Sequence, residues 1–415
     1  MPAPPVQPIV IWFGRVGDLI LLSALLEILH RRFGSPCHVI GAGAWLGEIY
    51  AAHADVARVS CLHRYTAWAF DPTWWRTRRA LRASRAGPVY VCETDLRKLA
   101  RIRRLLRFSG IEAARCVFLA QTGPDTALPH TSRIAPTHRV DAQTDLDTAL
   151  PHTSKIAPTH RVDAQTDLDT ALPRTSKIAP THWVDRLVSF GRLTPAAFDA
   201  ADYPWPAPAP RGAPLLTVSE AARAECVAWL ERQGWRDRTL ILVQPGNRRT
   251  MRGRRLRVLP ADDKAWPLER WAGLLRRIHA RLPQALIVLC GAPRESRLLE
   301  WIAAAAQLPA VAAAELRLPR LLALCARSHS MISVDTGPAH AAAALGLPLV
   351  VLFGAHSQQQ WLPRSPCGSP VLGVGGPPQS TRLDQISVET VFAAWCALDA
   401  EDNALRTAAA RATAP

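Results

Sequence analysis

Short apolar runs alternating with amphipathic stretches, on both sides of a proline-rich connector, limit this chain to one broad architecture. Ile9-Val10-Ile11-Trp12-Phe13 ends at Gly14, and Leu19 to Phe33 then carries helical periodicity up to Gly34. His38-Val39-Ile40-Gly41 reads as the next strand, with a helix over Trp45 to Ala52. The alternation resumes with a strand at Leu240–Val243, a helix at Leu268–Arg281, a strand at Ala285–Leu289 and a helix at Leu298–Ala306. Met331–Val334, a helix from Ala339 and Leu349–Phe353 continue it. Runs of this length without alternation suit strands buried on both faces, and strand-helix-strand spacing demands parallel sheets with helical crossovers. The expected fold class is α/β, with two Rossmann-like doubly wound domains facing a central cleft.

The connector is Tyr203-Pro204-Trp205-Pro206-Ala207-Pro208-Ala209-Pro210-Arg211-Gly212, where proline at alternate positions forces an extended chain. It sets the expected boundaries: an N-terminal domain over 1–202, a linker over 203–214, a C-terminal domain over 215–385, a helix over 386–400 and a flexible tail over 401–415. Two α/β domains hinged in this way hold a ligand beyond the carboxyl ends of their strands. Within the first domain a near-exact repeat of period 22 runs over 125–187: Asp125-Thr126-Ala127-Leu128-Pro129-His130 recurs from Asp147 and again from Asp169. Two prolines and few large apolar residues per unit argue against a solenoid. A solvated, mobile insertion by recent duplication is expected. Its histidines at 130, 138, 152, 160 and 182 lack the i, i+3 or i+4 spacing of a metal site, and no metal ligand is assigned.

Nine unclustered cysteines with no C-x-x-C pair favour reduced thiols and a cytoplasmic setting. No apolar run is long enough to cross a bilayer, and the first residues lack the basic region of a signal peptide. The formal net charge is +16, nearly all from arginine, since Lys98, Lys155, Lys177 and Lys264 are the only lysines. That charge points to an anionic partner: nucleic acid, anionic lipid or a phosphorylated small molecule. Genomic base composition accounts for arginine richness equally well.

Four strand-to-helix junctions narrow the choice. Ser333-Val334-Asp335-Thr336-Gly337-Pro338-Ala339-His340 gathers an acid, a hydroxyl, a glycine and a histidine at a helix N-terminus, where free N–H groups and the helix dipole favour phosphate. Gly14-Arg15-Val16-Gly17-Asp18-Leu19 allows close backbone approach, and Asp18 is either a helix cap or a general base. From Gln244-Pro245-Gly246-Asn247 a cation-rich loop leads through Arg248 and Arg249 to Asp263-Lys264-Ala265-Trp266-Pro267, where Lys264 is a compact charge for a phosphate or part of a solvated basic loop. In Cys290-Gly291-Ala292-Pro293-Arg294-Glu295, Glu295 is a ribose ligand or a helix cap. A further stretch holds Trp68, Phe70, Trp74 and Trp75 with Arg76, Arg78, Arg79, Arg82 and Arg85. It suits half-buried helix packing under snorkelling arginines, or else a phosphate-bearing lipid or nucleic-acid surface.

Together these segments resemble the ADP-heptose:lipopolysaccharide heptosyltransferases, the ninth family of glycosyltransferases. The resemblance rests on Gly17-Asp18, on 263–267, on 291–295 and on 335–340, in the family's order, and covers roughly 9–120 and 182–400. It implies the GT-B architecture and an inverting, metal-independent transfer of heptose from ADP-heptose to a lipid-linked saccharide of the lipopolysaccharide core. By that resemblance Asp18 is the catalytic base, Lys264 holds the diphosphate, Glu295 binds ribose, Asp335 contacts the sugar, and Thr336 and Gly337 offer N–H groups to phosphate. His340 belongs to the donor motif, and Arg15, Arg248 and Arg249 are candidate phosphate or acceptor contacts. No cofactor is implied, since the sugar nucleotide is a substrate. The implied partners are the nucleotide-sugar donor, the phosphorylated lipid-linked acceptor and, transiently, the inner face of the cytoplasmic membrane, with no nucleic acid. Ala355-His356-Ser357-Gln358-Gln359-Gln360 departs from the family's proline-threonine-aspartate turn. Another sugar nucleotide or acceptor therefore remains an alternative, and a non-catalytic sugar-nucleotide or nucleic-acid binder is the reading from a different class.

Overall fold

The structure, a computed structural model, describes residues 4–62, 71–121, 181–247, 250–252, 255–256, 264–309 and 311–399. Contacts separate Met1–Gly123 with Thr181–Pro415 from a second unit, Pro124–Pro180, which holds most of the repeat and lies outside the described residues.

The first half runs β1 (Ile9–Ile11), α1 (Val16–Phe33), β2 (Cys37–Ala42), α2 (Trp45–Tyr50), β3 (Val56–Leu62), α3 (Pro72–Ala83), β4 (Val89–Val91), α4 (Leu96–Phe108), β5 (Cys116–Phe118) and α5 (Trp183–Phe190). Its five strands are all parallel, in the order β3-β2-β1-β4-β5. The second half runs α6 (Glu220–Arg232), β6 (Leu240–Gln244), a small hairpin of β7 (Met251–Arg252) and β8 (Arg255–Leu256), α7 (Leu268–Arg281), β9 (Leu286–Gly291) and α8 (Ser296–Ala306). It continues through β10 (Val311–Glu315), α9 (Leu318–Cys325), β11 (Ser330–Val334), α10 (Gly337–Ala344), β12 (Leu349–Phe353), α11 (Gln358–Trp361) and β13 (Val371–Gly375), with a last helix over 388–399. Its six-stranded sheet, also all parallel, has the order β10-β9-β6-β11-β12-β13.

Both orders reverse direction beside their first strand, between β1 and β4 and between β6 and β11. Helices that follow adjacent strands leave on opposite faces at such a point, and the crevice between them is where doubly wound sheets bind ligands. The central strands β1, β2, β4, β6, β9, β11 and β12 are buried on both faces, and period-two alternation divides their side chains between different cores. Val10 and Trp12 join Val39 and Tyr90 against α1, whereas Ile9 and Ile11 face Leu81, Leu99 and Ile102 of α3 and α4. Likewise Leu240 and Leu242 point toward α10, and Ile241 and Val243 toward Trp271 and Leu274 of α7. The core containing α1 also contains Ala339 and Ala341–Ala344 of α10, so one continuous apolar layer joins the two sheets. That layer holds their carboxyl edges together.

Candidate active site

Asp18 lies in the first turn of α1. Its Oδ2 accepts a hydrogen bond from the Arg15 backbone N–H at 2.7 Å, so the cap expected of Asp18 is present. Gly14 is required beside it, since a Cβ there would come within 2.6 Å of the Asp18 Cβ. Burial raises the Asp18 carboxyl above its ordinary value, the Arg15 N–H and the charges of Arg15 and Lys98 pull it down, and Glu93 pushes it up. The Arg15 side chain is exposed at the cleft-side end of α1.

Two of those neighbours, Glu93 and Lys98, were not singled out from the sequence. Glu93 is buried just past β4, the neighbour of β1 at the point of reversal. Its Oε1 accepts from the backbone N–H groups of Thr94 and Asp95, and its Oε2 faces the Lys98 ammonium at 3.4 Å. Lys98 also donates to the Phe13 carbonyl at 3.0 Å, tying the end of β1 to the start of α4.

Across from this group, α10 begins at Gly337 with Thr336 as its extended N-cap residue and Pro338 in the first turn. Proline is tolerated there because the first N–H groups of a helix have no partner within it. The start of α10 abuts the start of α1: a Cβ on Gly337 would lie 3.1 Å from the Gly17 nitrogen, and one on Gly17 would lie 3.4 Å from the His340 ring. Two positive helix ends thus meet where the sheets' carboxyl edges face each other, an arrangement that favours an anion between them.

Asp335 lies directly before that helix and is 8% exposed. Its Oδ2 accepts from Lys264 Nζ at 2.6 Å and lies 2.8 Å from His356 Nδ1, while its carbonyl accepts from Lys264 at 3.2 Å. Burial alone would raise this carboxyl, but the His356 hydrogen bond and the Lys264 charge outweigh it and hold Asp335 far below the usual carboxylate range. His340 is buried with its Nδ1 lacking any hydrogen-bond partner, and burial lowers it to about 4, so it is neutral near pH 7. Glu295, at the end of β9, caps its own turn through Oε2 and the Ala292 N–H at 2.8 Å. Its Oε1 is buried, unpartnered and so close to Gly246 that a Cβ there would approach to 2.5 Å. Burial accordingly raises the Glu295 carboxyl. Asn247 Nδ2 donates to the Lys264 carbonyl at 2.9 Å, fixing the end of the basic loop.

Of the residues expected from sequence, Lys264, Asp335, Thr336, Gly337 and His340 form one group, and Gly17 and Asp18 border it through the α1–α10 contact. Glu295 lies one strand further out, beside Gly246. Arg248, Arg249 and Asp263 lie outside the described residues, as do Trp68 and Phe70 and the histidines at 130, 138, 152 and 160. His182 is described and is a helix cap: its ring accepts from the Val184 N–H at 3.1 Å and bonds the Leu362 carbonyl at 2.9 Å. The arginines of α3 behave partly as expected of snorkelling side chains, with the Arg78 guanidinium over the half-exposed Trp75 ring and bonded to the Phe108 carbonyl. No described helix is long and apolar enough to cross a membrane.

These features, two all-parallel sheets of reversing strand order with cationic and helix-N-terminal groups at their facing edges, define the class as a GT-B fold of two Rossmann-like sheets. Comparison with known proteins then shows what the chain is similar to. Residues 196–375 match the model of glycosyltransferase family 9 (heptosyltransferase). Over those residues the chain is similar to that family of glycosyltransferases. A 106-residue stretch is 35% identical to Lipopolysaccharide heptosyltransferase 3 of Escherichia coli, covering 25% of this chain and only 31% of that relative. Among solved structures, E. coli ADP-heptose lps heptosyltransferase II superposes with a TM-score of 0.61 at 18% identity over 96% of this chain and all of the other. E. coli heptosyltransferase WaaC with ADP gives 0.56 at 17% identity over 95% and 100%. A family 9 glycosyl transferase from Veillonella parvula gives 0.57 at 15% over 92% and 86%. At these identities the superpositions speak for the fold.

Proposed function

We propose that the protein is an inverting, metal-independent glycosyltransferase that moves a heptose from ADP-heptose to a lipid-linked saccharide of the lipopolysaccharide core. The observation that carries the reading is the meeting of the α1 and α10 N-termini, with a carboxylate (Asp18) on one side and a lysine-carboxylate pair (Lys264, Asp335) on the other. As the glycosidic bond breaks, negative charge grows on the departing diphosphate. Fixed positive groups aimed there are worth more in the transition state than in the ground state. Lys264 and the positive end of α10, with the backbone N–H groups of Thr336 and Gly337, supply them, and Asp335 orients Lys264 until the donor arrives. The Glu295 Oε1, buried without a donor of its own, is available to a ribose hydroxyl, an interaction that would relieve an unsatisfied acceptor.

On the opposite wall Asp18 removes the proton of the attacking hydroxyl. Burial raises its proton affinity toward the range in which a carboxylate is a competent base, and the Arg15 N–H fixes its orientation. Alignment of that hydroxyl with the anomeric carbon contributes several kcal/mol of the barrier reduction, on the order seen for well-oriented intramolecular reactions. In this reading the donor lobe is 215–385 and the acceptor lobe 1–202. The arginine-bearing face of α3 and α4 is the side presented to an anionic membrane at the cytoplasmic surface.

Incubating the protein with a panel of sugar nucleotides and following diphosphate release tests the proposal. Release from ADP-heptose in the presence of a lipopolysaccharide-core acceptor is expected. Turnover confined to a uridine or guanosine sugar, which the unusual turn at 355–360 would then explain, removes the heptose assignment. Asp18→Asn should cut transfer by at least about a thousandfold, the scale of losing a general base with its alignment, while leaving ADP binding intact. Retained turnover in that variant takes the base role away from Asp18.

A further inference from the structure

His356 belongs to the turn that departs from the family pattern, and it contacts the most strongly shifted carboxylate of the site. Its Nδ1 is 2.8 Å from Asp335 Oδ2, the same oxygen that receives the Lys264 ammonium at 2.6 Å. The ring is half-exposed and stacks on Trp361, with centroids 6.2 Å apart and planes at 29°. Trp361 in turn packs on Trp183, and Trp183 on Trp12 at the end of β1. The imidazole is therefore held at a fixed place beside Asp335. Among the described residues, the other titratable or charged groups around this carboxylate are Lys264, from the loop before α7, and His340 on α10, with His182 adding to the field at His340.

A diphosphate entering this site competes with Asp335 for Lys264. A buried carboxylate stripped of its cation is costly, by several kcal/mol in general, unless another donor takes over. We infer that His356 is that donor: it takes up a proton from solvent when a nucleoside diphosphate draws Lys264 away, and the imidazolium keeps Asp335 neutralised while the ammonium serves the phosphates. The exchange breaks no covalent bond; one proton passes from water or buffer to the ring nitrogen and returns when the product leaves. This inference rests on the nucleotide-binding reading above and adds to it a positioning residue and a proton linkage.

Calorimetric titration with ADP in buffers of differing ionisation heat measures it. Above about pH 7 the terminal phosphate of ADP is ionised, since its second ionisation lies near 6, and contributes little to the proton count. In that range the wild-type protein should take up a fraction of a proton approaching one per ADP. Its affinity should fall with rising pH by up to about tenfold per unit, the limit for one linked proton. His356→Asn retains a donor to Asp335 but cannot gain a charge, so it should bind ADP more weakly with no proton uptake and a flat pH profile. His356→Ala should match it in proton count, which separates the linkage from any change in packing on Trp361. Equal proton uptake by wild type and His356→Asn overturns the inference alone. Failure of the wild type to bind ADP at all overturns it together with the nucleotide reading.

Discussion

At the scale of single residues, the site combines groups that a sequence advertises with groups that only the fold brings in. Asp18 and Asp335 were legible because each follows an apolar run at a strand's carboxyl end close to a glycine, and Lys264 because it is a lysine in an arginine-rich chain just ahead of a Trp-Pro helix entry. Glu93 and Lys98 were not, because β4 is only three residues long and Glu93-Thr94-Asp95 reads as ordinary capping. Asp95 does cap α4, and Glu93 accepts two backbone N–H groups of the same turn. His356 stood out only as part of a departing turn, because its partner Asp335 lies 21 residues away and only the pairing of β11 with β12 brings the two together. Lys98 has a consequence that can be measured. If Asp18 is the base, activity requires its carboxylate form and declines as pH falls through its raised ionisation. Lys98 lowers that ionisation, so Lys98→Met should move the acid limb of kcat/KM to higher pH, and Glu93→Gln should move it to lower pH. Identical acid limbs in wild type and both variants would detach these residues from Asp18.

Among the elements, the contact between the starts of α1 and α10 separates structure from function most cleanly. Parallel strands buried on both faces were readable as apolar runs, α7 as a periodic helix with its expected limits, and α1 and α8 with their expected ends but with first turns that begin earlier, at Val16 and Ser296. Less was legible in α3 and α4, whose surfaces are mostly arginine. Their buried sides reduce to Thr77, Ala80 and Leu81, and to Leu99, Ile102, Leu105 and Leu106, which is enough to cover one face of a sheet but sparse as a pattern. The glycines at 17 and 337 look alike in sequence, yet the structure gives them different burdens. A methyl group on Gly337 would meet the Gly17 backbone and Val16 at 3.1 Å, whereas one on Gly17 would meet the edge of His340 at 3.4 Å. Gly337→Ala should therefore push the helix ends apart, costing about 1–3 kcal/mol as overpacking does, and lower ADP affinity as the phosphate cradle widens. Gly17→Ala should stay within about 1 kcal/mol of wild type, an ordinary surface-level effect. Urea denaturation with ADP titration on both variants checks the contrast, and equal behaviour of the two would show that the helix ends are not closely packed.

For the whole molecule, the question is what the tandem repeat contributes to a fold complete on either side of it. The chain leaves the described structure after Gln121 and returns at Thr181, directly ahead of α5. That return is firmly anchored. His182 caps α5 and bonds the Leu362 carbonyl, Trp183 packs on Trp361, and Asp185 receives both guanidinium nitrogens of Arg364 at 2.6 and 2.8 Å. Phe190 and Leu187 meanwhile bury into the core shared with α1. These anchors fall in the last part of the third copy and just beyond it, around Trp183, where that copy diverges from the other two. Removing 125–168 takes out two whole periods and leaves the third copy with all its anchors. The connection between 121 and 181 would shrink from 59 residues to 15. For a chain closed as a flexible loop, that reduction favours the folded state by about 1 kcal/mol, since closure entropy grows only with the logarithm of length. The shortened protein should therefore melt at the same temperature or slightly higher. It should release diphosphate from its donor at the wild-type rate, because the described partners of Asp18, Lys264 and Asp335 (Arg15, His356 and each other) all lie outside the removed copies. A variant that fails to fold would make the first two copies part of the structure. One that folds and binds ADP but no longer transfers to the acceptor would assign them to acceptor capture instead.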